Sequence, residues 1–142
     1  MTGPVRKILF ITGTRADFGK LKPLIFAAEH SEIFEAQIFA TGMHTLHRYG
    51  DTIHEIYQAK VENVFSFVNQ IVGDPMEIML ANTISGLSHY AVDNPPDLIV
   101  VHGDRIETLA GAIVGALRNI RVAHVEGGEI SGTVDELIRH SV

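Results

Sequence analysis

Pro95-Pro96-Asp97-Leu98-Ile99-Val100-Val101-His102-Gly103 decides the fold. The two prolines break the preceding element, four aliphatic residues follow without polar alternation, and Gly103 ends the run. A short continuous apolar run between breakers is the pattern of a strand buried on both faces, as in a parallel sheet. Downstream, Ile106 to Leu117 is rich in small residues and reads as a helix, with Leu109, Ala112, Ile113 and Ala116 available for close packing. Arg121 to Val125 is β-rich, Glu126-Gly127-Gly128-Glu129 is a turn, and a last helix starts near Thr133.

The upstream half repeats the alternation. Lys7 to Thr12 is a nearly continuous apolar strand interrupted by Gly13-Thr14, and Leu21, Leu24, Ile25 and Ala28 then fall at helical spacing. Ala36 to Thr41 is a second strand ended by Gly42, Asp51 to Ala59 a short helix, and Asn63 to Val68 a third strand. Pro75 opens a helix running to about Val92, with Met76, Met79, Leu80, Thr83, Ile84, Leu87 and Ala91 on one face. That apolar face packs on the sheet or serves a homodimer interface. Strands alternating with helices imply an α/β fold, a Rossmann-like parallel sheet with helices on both faces.

Composition sets the outer bounds. The 142 residues, 46% hydrophobic and 20% charged, suit one soluble globular domain, residues 1–142. A net charge of -6 argues against a general nucleic-acid partner, which requires a basic surface. It leaves room for a small anion at a helix N-terminus. Without cysteine there is neither a disulfide framework nor thiolate chemistry. The apolar runs are too short to span a bilayer, and the N-terminus lacks a signal-peptide stretch, so no membrane partner and a cytoplasmic location are expected. The chain ends at Val142 inside a helical pattern with no Gly or Pro stop, and a truncated piece of a longer protein is expected.

Ligands of open parallel sheets bind outside the carboxyl ends of the strands. Three unusual polar segments fall there: Gly13-Thr14-Arg15-Ala16-Asp17, His102-Gly103-Asp104-Arg105, and Glu126-Gly127-Gly128-Glu129 continuing to Asp135. In the first, free N–H groups of the helix start suit a phosphate, and Arg15 adds a bidentate contact. The alternative there is a helix cap by Thr14 with Asp17 in the capping-box position. In the second, Asp104 is an acid/base candidate and Arg105 an anion contact, or Asp104 merely caps the helix that begins at Ile106. In the third, Glu126 and Glu129 flank two glycines that allow close backbone approach, and paired carboxylates can divide acid and base roles. Thr133 and Glu136 match a capping box, and Asp135 reads either as part of the site or as a first-turn acid favoured by the helix dipole.

Eight histidines invite a metal reading. With no HExxH and no cysteine, none is expected. His102 and His124, at strand ends, read as backbone-bonded histidines, whereas Met43-His44 is positioned to line the cleft.

Together these segments resemble the hydrolysing UDP-N-acetylglucosamine 2-epimerases of sialic-acid biosynthesis. The matching stretches are Ile11 to Leu21, Thr41-Gly42-Met43-His44, Val101 to Arg105, and Glu126 to Asp135 followed by Ile138-Arg139-His140. Related non-hydrolysing enzymes carry Gly-Thr-Arg-Pro-Glu and His-Gly-Asp-Thr where this chain has Ala16-Asp17 and Arg105. The resemblance implies the N-terminal half of a B-type glycosyltransferase-like architecture of two Rossmann domains, the C-terminal domain being absent here. It implies hydrolysis of UDP-N-acetylglucosamine to N-acetylmannosamine and UDP, by elimination to a glycal and rehydration. Asp104, Glu126 and Asp135 become the catalytic candidates; Arg15, Ala16, Gly19, His44 and Arg105 become substrate contacts. No cofactor and no metal is implied, and the full-length protein is expected to form a homo-oligomer.

Two readings compete. One is the same chemistry on another UDP sugar, such as UDP-diacetylbacillosamine. The other is a non-catalytic nucleotide-binding fragment; the isolated fragment is in any case expected to be inactive.

Overall fold

A computed structural model describes residues 3–130 and 132–142, with Leu137 described by its backbone alone. Five parallel strands form one sheet in the order β3-β2-β1-β4-β5. They are β1 (Arg6–Thr12), β2 (Phe34–Ala40), β3 (Asn63–Ser66), β4 (Leu98–His102) and β5 (Arg121–Val125). The helices are α1 (Arg15–Glu29), α2 (Ile53–Gln58), α3 (Met76–Asp93), α4 (Ile106–Leu117) and α5 (Val134–His140). None of the described helices is long and apolar enough to cross a membrane.

Alternate side chains of each strand enter opposite cores, which is why the strands read as continuous apolar runs. Phe10, Ala36, Ile38 and Val100 pack with Phe18, Leu21, Ile25 and Ala28 of α1 and Ile56 of α2. Leu9, Ile11, Phe39, Ile99 and Val101 face the other way, onto Leu87 and Ala91 of α3 and Val114 of α4. Each fully buried Val, Leu, Ile or Phe among them stabilises the fold by roughly 1.5–3 kcal/mol.

Some local expectations are corrected. Leu24 is half exposed, because α1 presents Leu21, Ile25 and Ala28 to the sheet. Leu24 instead borders a groove of about 410 Å³ lined by Phe10, Phe34, Val100, Ala123 and Val125. In α4 the sheet-facing stripe is Ala110, Gly111, Val114 and Gly115, while Leu109 and Ile113 are only partly buried and Ala116 is exposed. Glycine is needed there: a Cβ on Gly111 would sit 2.7 Å from both Ile11 and Val101. On α3, Met76 is exposed while Thr83, Gly86, Leu87 and Ala91 are buried. The second strand ends at Ala40, because Thr41 turns away and its hydroxyl donates to the Phe67 carbonyl at 2.6 Å. The short helix α2 is clipped at both ends by left-handed residues, Asp51 (φ 48°) before it and Lys60 (φ 58°) after it.

The chain leaves β1 toward β2 on one side and later places β4 on the other. The carboxyl ends of β1 and β4 therefore flank a topological switch point, where a crevice opens.

Candidate active site at the carboxyl ends of the strands

The turn after β1 is built by hydrogen bonds from its own residues. Thr14 caps α1, its hydroxyl accepting the Asp17 N–H at 3.2 Å. The Asp17 carboxylate reaches back to the Gly13 N–H at 3.2 Å. The cap by Thr14 therefore holds, with the Asp17 bond shifted by one residue from the capping-box pattern, and one carboxylate oxygen of Asp17 is left for another task. That oxygen, Oδ1, accepts from Nδ1 of His102 at 2.9 Å.

His102 stands between two carboxylates. Its Nε2 donates to Glu126 Oε2 at 2.8 Å, and the other Glu126 oxygen lies 3.1 Å from Lys20 Nζ. Burial disfavours a charge on the ring, but Asp17 and Glu126 outweigh it and raise the His102 pKa above 6.5. In turn His102, and then Lys20, hold the Glu126 carboxyl below its ordinary value. The geometry is thus that of an imidazolium donating to a carboxylate on either side, with Glu126 at the rim. Glu126 also has left-handed backbone (φ 58°), a conformation costing a non-glycine residue about 1 kcal/mol or more and found preferentially at functional sites.

The reading of His102 as a backbone-bonded histidine is corrected: its ring serves two carboxylates. His124 does bond backbone, its Nε2 lying 2.6 Å from the Gly103 carbonyl. Lys20, one helical turn from Asp17 and part of the same stretch, was a signal available in the sequence.

Asp104 does not cap α4. Arg105 holds the N-cap position without a side-chain cap, and Asp104 pairs instead with Arg139 of α5. Arg139 is nearly fully buried and also donates to the Glu129 carbonyl at 2.8 Å, tying the loop after β5 to the loop after β4. Strands β4 and β5 are paired up to His102 and Val125, so Asp104 and Glu126 emerge from adjacent strand ends. Arg105 bonds Glu107 through Nε at 3.3 Å.

The remaining candidates are spread more widely. Arg15 is exposed and pairs with Glu55 of α2 at 3.1 Å. Ala16 and Gly19 are exposed on the first turns of α1, with open space where a Gly19 side chain would stand. His44 is fully buried beneath the site. Its Nε2 faces the Thr12 hydroxyl at 2.9 Å and its Nδ1 the Thr52 hydroxyl at 2.7 Å. Because Thr12 gives its own proton to the Thr14 carbonyl, the imidazole Nε2 is the donor and Nδ1 the acceptor. Burial drives the His44 pKa down to about 4 despite the nearby Asp17, and the ring is neutral. Asp135 is exposed in the first turn of α5, and no bond among the described residues joins it to Asp104 or Glu126. Glu136 accepts the Gly132 N–H, in the manner of a capping box shifted by one residue. Ser131, within the fourth matching stretch, lies outside the described residues. Among the described residues no group of three or more His, Asp or Glu side chains is arranged to hold a metal.

A sequence family described as UDP-N-acetylglucosamine 2-epimerase matches the chain over residues 27–142. A UDP-N-acetylglucosamine 2-epimerase of Neisseria meningitidis serogroup B is 49% identical over 138 residues, 97% of this chain and 37% of the relative. A UDP-N,N'-diacetylbacillosamine 2-epimerase (hydrolyzing) of Legionella pneumophila is 36% identical, again over 97% of this chain and 37% of the relative. The chain thus spans just over a third of these relatives' length. A crystal structure of a UDP-N-acetylglucosamine 2-epimerase superposes with a TM-score of 0.85 at 22% identity, over 98% of this chain and 38% of that one, a likeness of fold.

Proposed function

The chain belongs to the UDP-N-acetylglucosamine 2-epimerase family, and on that premise we propose that it is the N-terminal domain of a hydrolysing 2-epimerase. The substrate is UDP-N-acetylglucosamine and the products are N-acetylmannosamine and UDP. A second Rossmann-like domain closes the cleft over the carboxyl ends of the strands, giving a B-type glycosyltransferase-like architecture. A homo-oligomeric, cytoplasmic parent belongs to the same reading.

The observation that carries the proposal is the placement of Glu126 at the end of β5, one carboxylate oxygen on His102 and the other on Lys20. A weakly acidic C2–H needs a poised base as the diphosphate departs. Glu126 takes the C2 proton, the C–H pair forms the C1=C2 bond, and UDP leaves with the C1–O pair. Water then adds through oxygen to C1, and a proton is delivered to C2 on the opposite face. Asp104 and Asp135 are the other acid/base groups. Arg15 and Arg105 offset the charge on the departing diphosphate. Ala16 and Gly19 leave the α1 N-terminus open to it. His44 acts from below, as a neutral strut under the Thr12 turn.

The Legionella relative supports a second reading, the same chemistry on UDP-N,N'-diacetylbacillosamine. An NMR assay of the full-length parent with each UDP sugar in deuterated water decides. UDP and N-acetylmannosamine deuterated at C2 are expected. Formation of UDP-N-acetylmannosamine would overturn hydrolysis, and turnover of the bacillosamine sugar alone would replace the substrate.

A further inference from the structure

Glu107, in the first turn of α4, has a role that helix propensity does not explain. It is 2% exposed, beneath the point where the turns after β1, β2 and β4 converge. A Cβ on Gly13 would stand 2.7 Å from its carboxyl carbon, and one on Gly42 would collide with Oε1. The Gly13 carbonyl accepts the Met43 N–H at 2.8 Å, so the two turns are joined above it. Glycine at both positions makes room for this carboxyl group.

Its hydrogen bonding is sparse. Oε2 accepts from Arg105 Nε at 3.3 Å, while Oε1 is buried with no hydrogen-bond partner among the described residues. Burial pushes the carboxyl above its ordinary range, against the pull of Arg105. An apolar side chain of equal size would avoid that desolvation. Among the described residues, the side-chain partner of its carboxyl is Arg105, whose own side chain is one-third exposed beside Met43, Leu46 and Gln70.

We propose that Glu107 is a positioning residue for Arg105. It grips the guanidinium from below by its Nε edge and leaves the two terminal nitrogens for the diphosphate of the nucleotide sugar. This inference rests on the epimerase reading.

The test is calorimetric titration of UDP into the full-length parent, with melting temperatures measured alongside. Glu107→Met removes the acceptor at similar volume, and Glu107→Asp keeps the carboxyl group but withdraws it by one methylene. Both should weaken UDP binding about tenfold, the loss typical of removing a partner that orients a binding side chain. Glu107→Gln keeps an acceptor at the right reach and should stay within about threefold. Arg105→Met with Glu107→Met should bind no worse than Arg105→Met alone, since both remove one device. A purely structural role would lower the melting temperature in proportion to the lost affinity and would not spare the glutamine variant. UDP affinity unchanged in Glu107→Met, or multiplied losses in the double variant, would overturn the inference alone. Failure of the wild-type parent to bind UDP would overturn the epimerase reading, and the inference with it.

Discussion

His102 and Asp17 are 85 residues apart in sequence, yet Nδ1 of one lies 2.9 Å from a carboxylate oxygen of the other. The bond crosses from the end of β4 to the first turn of α1. It turns a helix-capping aspartate into the back support of a histidine whose other nitrogen serves Glu126.

This bridge sets a pH window. The raised His102 pKa means its stabilising contribution is complete below 6.5 and is lost as pH rises through the elevated value. Glu126, lowered from 4.5, contributes above 4.5 and loses that contribution as pH falls through its depressed value. The activity of the full-length parent should therefore hold between those limits and decline on the alkaline side as the imidazolium is lost. His102→Gln should lower kcat by about 10²-fold and abolish the alkaline limb. A pH–rate profile of the variant that keeps that limb would disprove the assignment.

His44 predicts acid lability of the fold. Its folded pKa of about 4 lies below the ordinary 6.5, so the unfolded chain binds the proton first. Stability should be full above pH 6.5 and be lost progressively toward pH 4, by about 3 kcal/mol in total from this group. Urea unfolding across that range measures it, and His44→Gln should flatten the dependence.

Gly13→Ala should destabilise by about 1–3 kcal/mol, the usual cost of overpacking a tight site. The new methyl would meet the Glu107 carboxyl rather than solvent. Glu107→Ala in the same chain should recover part of the loss, because it removes the obstacle. A thermal-melt comparison of the two single variants and the double variant tests the contact directly.

Asp104→Asn and Glu126→Gln should each lower kcat of the full-length parent by about 10²–10⁴-fold without unfolding it. Arg139→Met should act on Asp104 indirectly. It removes the buried partner of that carboxylate and the bond to the Glu129 carbonyl, at a stability cost of about 1–3 kcal/mol. Wild-type turnover in both carboxylate variants would remove the acid/base scheme.

What could be read from sequence was local. The bounds of α4 and β5 match the structure, because a 3.6-residue period and runs of β-branched residues between glycine and proline breaks depend on neighbours only. The three polar segments were placed at strand ends by the same logic, since each follows an apolar run. The partners at those ends depend on crossovers that no local pattern carries. His102 looked like an ordinary strand-end histidine until β1 and β5 came to flank β4. Glu107 stands in the first turn of α4, and nothing in the local pattern marks it; Gly13 and Gly42 closing over it do. Asp104 read equally as an acid/base candidate and as a cap until α5 brought Arg139 to it. Charge and hydrogen-bond capacity are properties of a residue type, and the sequence by itself determined which chemistry was available at the strand ends. Burial and partnership are properties of the packed chain, and only the tertiary structure decided which carboxylate is ionised, which histidine is neutral and which arginine is held.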